Sequence, residues 1–485
     1  MTHSTASVVT HALAAPSPAT PSLVIVGGGF SGAVAALKVI AAAEGPVAIT
    51  VIEPAADLGA GIAYGTRDPA HFLNAPAKIV SLHPEHAGHF TEWLAARPDA
   101  FAGPGPAEAF ARRGALGAYV RDELARALAA APRARLDHVR AEAVDLRVSR
   151  DGVAVTLDDG RTVGADRALL ATGLVGARPP IPGADTLGPE DGYIADPFDA
   201  ASHAHVPADG TVLHIGTSLT MLDSLVTLER RGFRGLHLGV SRHGFLPQER
   251  REPPAWPDFL GAAPLPATAR ALLARVRREL ALLAAQGGDW QAIVPAIRPH
   301  VPALWAGASD AERARFLRHL RRYWENALHR SPGPSHATFR AVAAQGRFTA
   351  EAGRVTGLAR EGGRLVATVA ARGGAVRPVA VDAVVNNLGW DYSWIRAGAV
   401  RPLARTLIAR GLVRPGPLGS GLDADAAGGL IGRDGTASGR LFGIGPVLRG
   451  RRWESNTVME ILTQAIALAP LLARAENAVP AASAA

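Results

Sequence analysis

Short apolar runs that end in glycine alternate along this chain with longer segments of helical character. Leu23–Val26 leads into the glycine-rich stretch Gly27–Gly32, an alanine-rich segment follows over 33–43, and a second apolar run covers Val47–Ile52. The order strand, glycine turn, helix and strand predicts a βαβ unit.

The same order recurs in the middle of the chain. Val212–Ile215 ends in a glycine, a helix-like segment covers Leu219–Arg231, and another apolar run covers Leu236–Val240. Each unit is followed by short alternating segments and by an apolar strand that ends in glycine, the first at 169–173 and the second at 384–389. The repetition predicts an α/β fold with two Rossmann-like dinucleotide-binding domains.

Two further regions have helical patterns. Helical composition with apolar spacing predicts a helical insertion at about 255–335, after the second βαβ unit. Near the carboxyl terminus, Ser455–Ala473 is predicted to form an amphipathic helix, with Thr457 and Glu460 at the spacing of a capping box.

Composition narrows the chemistry that such a fold can perform. Of the 485 residues, 48% are apolar and 19% are charged, which excludes a wholly disordered chain. The chain has no cysteine, so disulfide exchange, thiolate nucleophiles and iron–sulfur clusters are excluded. Redox chemistry therefore requires a cofactor.

Charge and hydropathy bear on partners and location. The 51 basic and 43 acidic residues give a net charge of +8, but the arginines are scattered over helices and loops, so no nucleic-acid partner is predicted. The longest apolar stretch, 33–43, contains Lys38 and is too short to span a bilayer, and residues 1–20 lack the basic start of a secretory signal. A cytoplasmic protein without a membrane partner is predicted. The histidine tract at 83–89 lacks cysteine or paired carboxylates, so no metal is predicted.

The first glycine turn carries a G-x-G-x-x-G pattern in its expected setting. Gly27, Gly29 and Gly32 would allow a tight turn, close approach of a pyrophosphate, and close packing of helix on strand. Glu53 stands at the end of the next strand, where a carboxylate can bind ribose hydroxyls. Because that carboxylate disfavours a 2′-phosphate, FAD or NAD is predicted here.

The second glycine turn departs from this pattern. Gly216 is followed by Thr217, Ser218 stands in place of the middle glycine, and Met221 replaces the third small residue. The next strand ends at Ser241–Arg242 without a carboxylate, and an arginine suits a 2′-phosphate. NADPH is therefore predicted in preference to NADH. The alternative left open is that this βαβ unit is a structural relic with no dinucleotide site and that its arginine is simply exposed.

These motifs resemble those of bacterial FAD/NAD(P)-binding proteins related to class B flavin-dependent monooxygenases that hydroxylate nitrogen. The resemblance extends from Ser22 to Ala473, and members of that family include aspartate N-monooxygenases. The matching stretches are Val26–Gly32, Gly61–Thr66, Leu73–Ala77, His89–Phe90, Trp93–Leu94, Ala171–Gly173, Ser241–Arg242, Gly443–Pro446, Arg449–Gly450 and Trp453–Glu454.

The resemblance implies a role for each motif. The first turn would hold the FAD pyrophosphate, Glu53 the adenosine ribose, and the helix near Ser455 would direct its positive end at reduced flavin. Asn74 is the predicted catalytic residue, contacting the flavin edge or the nicotinamide; the alternative is a turn-forming asparagine. The implied cofactor-binding residues are Gly27, Gly29, Phe30, Ser31, Gly32, Glu53, Asn74, Gly173, Gly445, Pro446, Trp453 and Glu454 for FAD, and Gly216, Thr217, Ser218, Ser241 and Arg242 for NADPH.

The implied domain order is discontinuous. Both ends of the chain would build the FAD-binding domain, and the NADPH-binding domain would be inserted between them. The predicted divisions are a disordered tail at 1–21, the first FAD part at 22–205, the NADPH domain with its helical insertion at 206–385, the second FAD part at 386–474 and a disordered tail at 475–485.

The implied activity is FAD-dependent, NADPH-using monooxygenation. A flavin C4a-hydroperoxide would pass one atom of molecular oxygen to the nitrogen of an amino acid or another small amine, with Arg112 and Arg113 as candidates for binding an anionic substrate. One alternative is an NAD(P)H-dependent flavin reductase or dehydrogenase without oxygen insertion. Another is a non-catalytic FAD-binding sensor, suggested by Ser218 and by Leu388, where the first half has Thr172. Disulfide reductases are excluded by the missing cysteines, and an oligomer is compatible with the sequence.

Overall fold

A computed structural model describes residues 20–174, 179–261, 264–399 and 401–474. The predicted tails lie outside these residues, apart from Thr20 and Pro21 in the first of them.

Strands and helices alternate through most of the described chain. The strands are β1 (Ser22–Val26), β2 (Val47–Ile52), β3 (Phe101–Ala102), β4 (Phe110–Ala111), β5 (Ala134–Val139), β6 (Ala143–Val148), β7 (Val153–Leu157), β8 (Thr162–Ala165), β9 (Arg167–Leu170), β10 (Tyr193–Ile194), β11 (Thr211–Ile215), β12 (Leu236–Ser241), β13 (Phe348–Glu361), β14 (Arg364–Ala371), β15 (Val376–Val381), β16 (Ala383–Asn386), β17 (Gly429–Ile431) and β18 (Ala437–Gly443). The helices are α1 (Phe30–Ala42), α2 (Gly61–Tyr64), α3 (His89–Ala95), α4 (Arg113–Ala130), α5 (Leu219–Arg230), α6 (Ala269–Ala285), α7 (Ile293–Ile297), α8 (Val301–Gly307), α9 (Asp310–His319), α10 (Arg321–Leu328), α11 (Gly333–Ala344), α12 (Trp394–Ala397), α13 (Pro402–Ala409) and α14 (Val458–Leu472).

The chain divides into two compact units. The first comprises the described residues of 1–64, 117–176 and 392–485, and the second those of 65–116 and 177–391. Residues 65–116 therefore belong to the second unit, although they interrupt the first unit in sequence. The positions of the nucleotide-binding domain boundaries stay a prediction.

The first unit is built on a six-stranded sheet in the order β17-β18-β9-β1-β2-β5. All neighbours except β17 and β18 are parallel, and Val26 pairs with Ile52 on one side and with Leu170 on the other. Because Gly443 also pairs with Leu170, the carboxyl ends of four strands lie at one edge of the sheet. A separate antiparallel sheet, β6-β7-β8, accounts for the alternating segments after the first βαβ unit.

Helix α1 is buried on nearly all sides, which requires small side chains. Its alanines allow close packing between the sheet and α14, whose buried face includes Ile461, Leu462 and Leu468. Burial on both sides explains why the sequence of this helix is a nearly continuous apolar run and not an amphipathic pattern.

The second unit repeats the plan. Its sheet has the order β10-β16-β11-β12-β13-β14-β15, with five parallel strands followed by an antiparallel meander. Helices α6 to α11 lie between β12 and β13, at the predicted helical insertion. The α/β fold class with parallel sheets and helices is thus confirmed. No helix of the described segments is long and apolar enough to cross a bilayer.

Candidate functional site

The first glycine turn connects β1 to α1 and leaves no room for side chains. Gly27 has φ +100°, and a Cβ there would lie 2.5 Å from the carbonyl oxygen of Ala171. A Cβ on Gly32 would lie 1.9 Å from the carbonyl oxygen of Gly27. The turn therefore needs glycine at both positions, and it leaves backbone N–H groups at the start of α1, where an anionic phosphate is stabilised.

Glu53 holds this turn from the end of β2. Its Oε2 accepts a hydrogen bond from the Gly28 N–H at 2.8 Å, and its Oε1 accepts one from the Ala55 N–H at 3.0 Å. Each carboxylate oxygen can accept a further hydrogen bond. This geometry is compatible with ribose binding, which stays a prediction.

Two further strand ends meet beside the turn. The Ala171 N–H donates to the carbonyl of Val26 at 2.9 Å, and the Ile444 N–H donates to the carbonyl of Leu170 at 3.1 Å. Gly445 follows with φ +73°, and a Cβ on it would lie 2.5 Å from the Oγ of Ser31. The structure thus brings the first turn together with Ser31 and Gly445; Pro446 follows in a short 3-10 turn over 445–448.

The predicted helix near Ser455 begins at Val458, but its predicted capping box does not form. Thr457 is the N-cap residue and its side chain accepts no capping hydrogen bond. Glu460 instead accepts hydrogen bonds from Arg452 at 3.3 Å and from Gln464 at 3.1 Å. The capping-box prediction is therefore wrong, because the glutamate bonds Arg452, which precedes the helix, and Gln464, one turn further along it.

Three buried hydroxyl groups of the first unit have no hydrogen-bond partner among the described residues. They belong to Thr172, Ser455 and Thr457, which follow β9 or lead into α14. A buried hydroxyl without a partner is costly, roughly 1–3 kcal/mol. Together with the glycine turn, these donors fit a polar cofactor such as FAD.

The aromatic and acidic residues predicted for this site are buried in the same unit. The Arg449 guanidinium lies 4.0 Å from the ring centroid of Trp453 and 5.2 Å from that of Tyr392, and its Nη1 donates to Asn456 at 2.6 Å. Glu454 is also buried. Their contacts with a flavin, and that of Gly173 in the loop after β9, stay predictions.

The second glycine turn connects β11 to α5, and its substitutions are accommodated. Gly216 has φ +98°, and Met221 is fully buried and contributes to the hydrophobic core. Ser218 precedes α5 and its side chain is exposed. The Cβ of Ser218 therefore fits the turn, and its role toward a pyrophosphate stays open.

The Thr217 side chain points inward, and a contact of this residue with NADPH stays a prediction. Its hydroxyl donates to the carbonyl of Phe245 at 2.6 Å and lies 2.7 Å from the Oγ of Ser241, which accepts the Gly244 N–H at 3.1 Å. These contacts shape the loop after β12. Arg242 in that loop is exposed and has no hydrogen bond or ion pair with a residue that the structure describes.

A buried polar chain lies beneath this second turn, and sequence reasoning missed it. The Asn387 amide lies 3.1 Å from Nδ1 of His214, whose Nε2 lies 3.0 Å from Nδ1 of His237, and His237 Nε2 contacts Glu229 at 3.1 Å. Burial holds the pKa of His214 well below its ordinary value and also lowers the pKa of His237. Burial alone would raise the pKa of Glu229, but hydrogen bonds from Arg347 and His237 lower it.

A second cluster missed from the sequence consists of arginines near Asn74. Arg330 is 4% exposed, and its segment lies beside that of Arg250, whose backbone N–H donates to the Ser331 carbonyl at 2.9 Å. The Nε atoms of Arg250 and Arg330 are buried without a hydrogen-bond partner among the described residues. Burial, followed by repulsion from Arg250 and Arg298, lowers the pKa of Arg330 to about 10.

Asn74 adjoins this cluster. Its backbone carbonyl lies 3.4 Å from Arg250 Nη1, and its half-buried side chain has no hydrogen bond to any residue in the described ranges. Glu252 lies 3.9 Å from Arg250 Nε but pairs more closely with Lys78, at 2.7 Å. The cluster therefore retains excess positive charge and buried N–H donors, which fit a carboxylate.

Arg112 and Arg113, predicted as substrate-binding candidates, have other partners. Arg112 donates to the carbonyls of Pro69 and Asp99, and Arg113 donates to the carbonyl of Phe72. Their guanidinium groups stabilise the loop that precedes Asn74, and the arginines open to an anion are instead Arg250 and Arg330. The sequence has no motif that pairs Arg250 with Arg330, because the two arginines are 80 residues apart.

Comparison with known proteins agrees with this architecture. Residues 24–175 match the family model described as FAD-NAD(P)-binding. No curated protein matches the chain in sequence. The predicted FAD/NAD(P)-binding domain is thus confirmed for the amino-terminal segment.

Solved structures of nitrogen-hydroxylating enzymes have a similar fold. They include ornithine N-hydroxylase from Kutzneria sp. 744, with reduced FAD, NADP+ and L-ornithine (TM-score 0.63, 14% identity, 93% of this chain and 99% of that one). L-lysine 6-monooxygenase from Pseudomonas syringae matches with a TM-score of 0.62 and 16% identity over 94% of this chain and 99% of that one. The FAD-bound cadaverine monooxygenase from Erwinia amylovora matches with a TM-score of 0.63 and 10% identity, over 93% of this chain and 94% of that one. The predicted resemblance is confirmed at the level of the fold.

Proposed function

We propose that this chain is an FAD-dependent, NADPH-using monooxygenase that hydroxylates the amino nitrogen of a small amino acid. FAD is assigned to the first unit and NADPH to the second. The observation that carries the substrate class is the buried pair Arg250 and Arg330 beside Asn74. The similar folds of the ornithine, lysine and cadaverine enzymes support the reaction type.

The first unit is suited to hold FAD. N–H groups at the start of α1 would bind the pyrophosphate, Glu53 the ribose, and the hydroxyls of Thr172, Ser455 and Thr457 would gain partners. When bound, the flavin would supply the redox chemistry and the activation of molecular oxygen. The protein's own contribution is to orient the cofactor and to exclude water.

The second unit is suited to hold NADPH. The turn at Gly216 leads into α5, whose amino-terminal N–H groups favour phosphate. Arg242, exposed at the end of β12, can pair with a 2′-phosphate through charge-assisted hydrogen bonds. Ser241 fixes the loop that carries it.

The arginine pair is suited to bind the substrate carboxylate. A carboxylate would provide acceptors for the two buried Nε–H groups and would relieve the repulsion that lowers the pKa of Arg330. Asn74 can then donate or accept a hydrogen bond near the amino group, since its amide is not otherwise bonded in the described chain. A simple amine would provide no acceptor for the two buried Nε–H groups.

The test measures flavin reduction and oxygen insertion into the substrate separately. The purified protein, loaded with FAD, is mixed anaerobically with NADPH or NADH and then with oxygen and a panel of amino acids. Each amino acid is paired with the amine that lacks its carboxylate. The expected results are faster flavin reduction by NADPH and an oxygen-dependent N-hydroxylated product from one amino acid but not from its decarboxylated partner.

Other outcomes would support the alternatives. Acceptor reduction that is equally fast without oxygen would support a reductase or dehydrogenase. Bound FAD that NADPH cannot reduce under anaerobic conditions would support a non-catalytic sensor. Failure to bind FAD at all would refute the proposal.

A further inference from the structure

The buried face of α5 carries polar side chains where a helix packed on a sheet normally carries apolar ones. Asp223, Ser224 and Thr227 are 5%, 0% and 2% exposed. Burying such groups is unfavourable unless each finds a partner. Ser224 finds one in Asn387 at 2.8 Å, within the second unit's sheet. Thr227 bonds Asp68, in the segment that contains Asn74, and Asp223 pairs with Arg113, which in turn contacts that segment.

Thr227 joins a hydrogen-bonded chain with that segment. Its hydroxyl donates to Asp68 Oδ2 at 2.8 Å, across 159 residues of sequence, and lies 2.9 Å from His71 Nε2. Because the hydroxyl has one proton, it must accept the Nε2–H of His71. The other ring nitrogen, Nδ1, lies 2.9 Å from the hydroxyl of Thr66. Helical threonines commonly bond the carbonyl four residues earlier, so this distant bond is a specific use of Thr227.

Asp223 acts on the same segment through Arg113. Arg113 Nη1 lies 2.6 Å from Asp223 Oδ2, with 15% and 7% of the two side chains exposed. The Arg113 N–H donates to the carbonyl of His71 at 2.8 Å, and its Nε donates to the carbonyl of Phe72 at 3.1 Å. The guanidinium therefore fixes the backbone two residues before Asn74.

The two contacts hold residues 66–74, here called the Asn74 loop, against the helix that opens at the second glycine turn. We propose that Thr227 and Asp223 are positioning residues for Asn74 and for the Arg250 side chain that contacts its carbonyl. This inference rests on the proposed function for its catalytic consequence, but the positioning itself does not depend on it. Neither residue is one of the predicted site residues.

We expect the loss of these contacts to affect substrate positioning but not flavin reduction. The contacts to the Asn74 loop lie on the second and third turns of α5, whereas dinucleotide phosphates would meet its first turn. Loss of Thr227's hydroxyl should loosen the loop and misplace the substrate, and it should leave hydride transfer from NADPH to FAD nearly unchanged. Reducing equivalents would then be lost to oxygen without hydroxylation of substrate.

The test compares two substitutions of Thr227, one that matches threonine in shape and one that matches it in carrying a hydroxyl. Thr227→Val keeps the shape and removes the hydroxyl, and Thr227→Ser keeps the hydroxyl. Thr338→Val is the matched control, because among the described residues the Thr338 hydroxyl bonds only the Pro334 carbonyl of its own helix. Backbone hydrogen exchange of residues 66–74 is measured on the ligand-free protein, and product formed per NADPH oxidised is measured on the loaded enzyme.

Thr227→Val is expected to speed exchange in the Asn74 loop by roughly tenfold and to lower the yield of product per NADPH several-fold. Anaerobic flavin reduction should stay within about twofold, because the first turn of α5 is intact. Thr227→Ser should restore exchange and yield, and Asp223→Asn should reproduce the valine phenotype. Unchanged exchange in Thr227→Val, or no restoration by serine, overturns the inference.

Failure of the proposed function is distinguishable from failure of this inference. If the wild-type protein hydroxylates no amine, the function is wrong, but the exchange measurement still decides whether Thr227 holds the loop. If flavin reduction falls in parallel with product yield, Thr227 supports the whole helix and is not a positioning residue for Asn74.

Discussion

Arg242 and Arg330 carry the same charge in opposite surroundings, and this difference decides what each can bind. Arg242 is exposed in a loop, so water solvates its guanidinium and a ligand gains only a modest ion pair. Arg330 is 4% exposed and close to other arginines, so an anion gains more from pairing with it. The exposed arginine is suited to selecting a coenzyme and the buried one to anchoring a substrate.

Replacing Arg242 should change coenzyme preference more than catalysis. Arg242→Gln is expected to raise the KM for NADPH by roughly tenfold and to leave the KM for NADH nearly unchanged, because only NADPH has a 2′-phosphate to pair with the guanidinium. Anaerobic flavin reduction at varied coenzyme concentrations measures this. Arg354→Gln, at an exposed arginine of β13, is the control. An equal rise for both coenzymes would show that Arg242 does not contact the 2′-phosphate.

Replacing Arg330 should weaken substrate binding and leave flavin reduction intact. Arg330→Gln is expected to raise the substrate KM at least tenfold, since truncating one partner of a buried charge pair typically costs about 2–5 kcal/mol. Arg330→Lys should restore only part of the affinity, because an ammonium lacks the planar guanidinium fork. Steady-state kinetics with Arg318→Gln as the exposed control would test this. A normal KM in Arg330→Gln would remove Arg330 from the substrate site.

Single residues can be interpreted from the sequence where the local backbone conformation requires one residue type. The glycines at 27 and 32 are required by contacts with Ala171 and with the turn itself, and such turns have a sequence pattern. The arginine pair had no pattern, because burial and the proximity of residues 80 positions apart arise only in the folded chain. For the same reason the contacts of Arg112 and Arg113 with backbone carbonyls could not be predicted from the sequence.

At the level of elements, the parallel strands bring polar groups together at their carboxyl ends. β11 and β16 end beside each other, since Ile215 pairs with Asn386, and the Gly216 turn lies against the carbonyl of Asn387. The His214 and His237 side chains extend from β11 and β12 beneath that turn. A buried polar chain therefore supports the second glycine turn alongside apolar core residues such as Ile215 and Met221.

From the buried histidines of this polar chain we expect the folded protein to lose stability in acid. The pKa values of His214 and His237 are lowered by burial, so both rings are neutral in the folded state while the unfolded chain can protonate them. Stability should be independent of these groups above pH 6.5 and should fall as pH decreases below it, by up to about 1.4 kcal/mol per pH unit for each ring.

Chemical denaturation at a series of pH values measures the effect. His214→Gln removes one group that the unfolded chain protonates and the folded chain keeps neutral, so the slope of unfolding free energy against pH below 6.5 should decrease, whatever the change in absolute stability. Retention of the wild-type slope in this variant would show that His214 is protonated in the folded protein.

Element types were predictable from the sequence to a greater extent than their contacts. Both βαβ units, the meanders and the helical insertion follow from apolar periodicity and glycine positions, which are local properties. The capping box at Thr457 does not form, because the Glu460 carboxylate bonds Arg452 in the preceding loop and Gln464 one helical turn further on. Residues 65–116 interrupt the first unit in sequence, and within the second unit Arg113 of that segment pairs with Asp223.

On the scale of the whole molecule, the excess of 51 basic over 43 acidic residues gives a net charge of +8. Scattered positive charge provides no specific site, but it attracts anionic ligands over distances of about a Debye length, roughly 10 Å at 0.1 M salt. NADPH differs from NADH by one phosphate group, which adds about 1.5–2 negative charges at neutral pH. The long-range attraction should therefore be stronger for NADPH.

Salt should reveal this difference. We expect kcat/KM for flavin reduction by NADPH to fall several-fold between about 20 and 200 mM NaCl, because screening weakens both the attraction and the Arg242 pair. The value for NADH should fall less, and the limiting reduction rate at saturating coenzyme should change little for either. In Arg242→Gln the NADPH curve should move toward the NADH curve without reaching it, since the net charge remains positive. Parallel salt dependences for the two coenzymes in the wild-type protein would mean that the basic surface does not contribute to coenzyme selection.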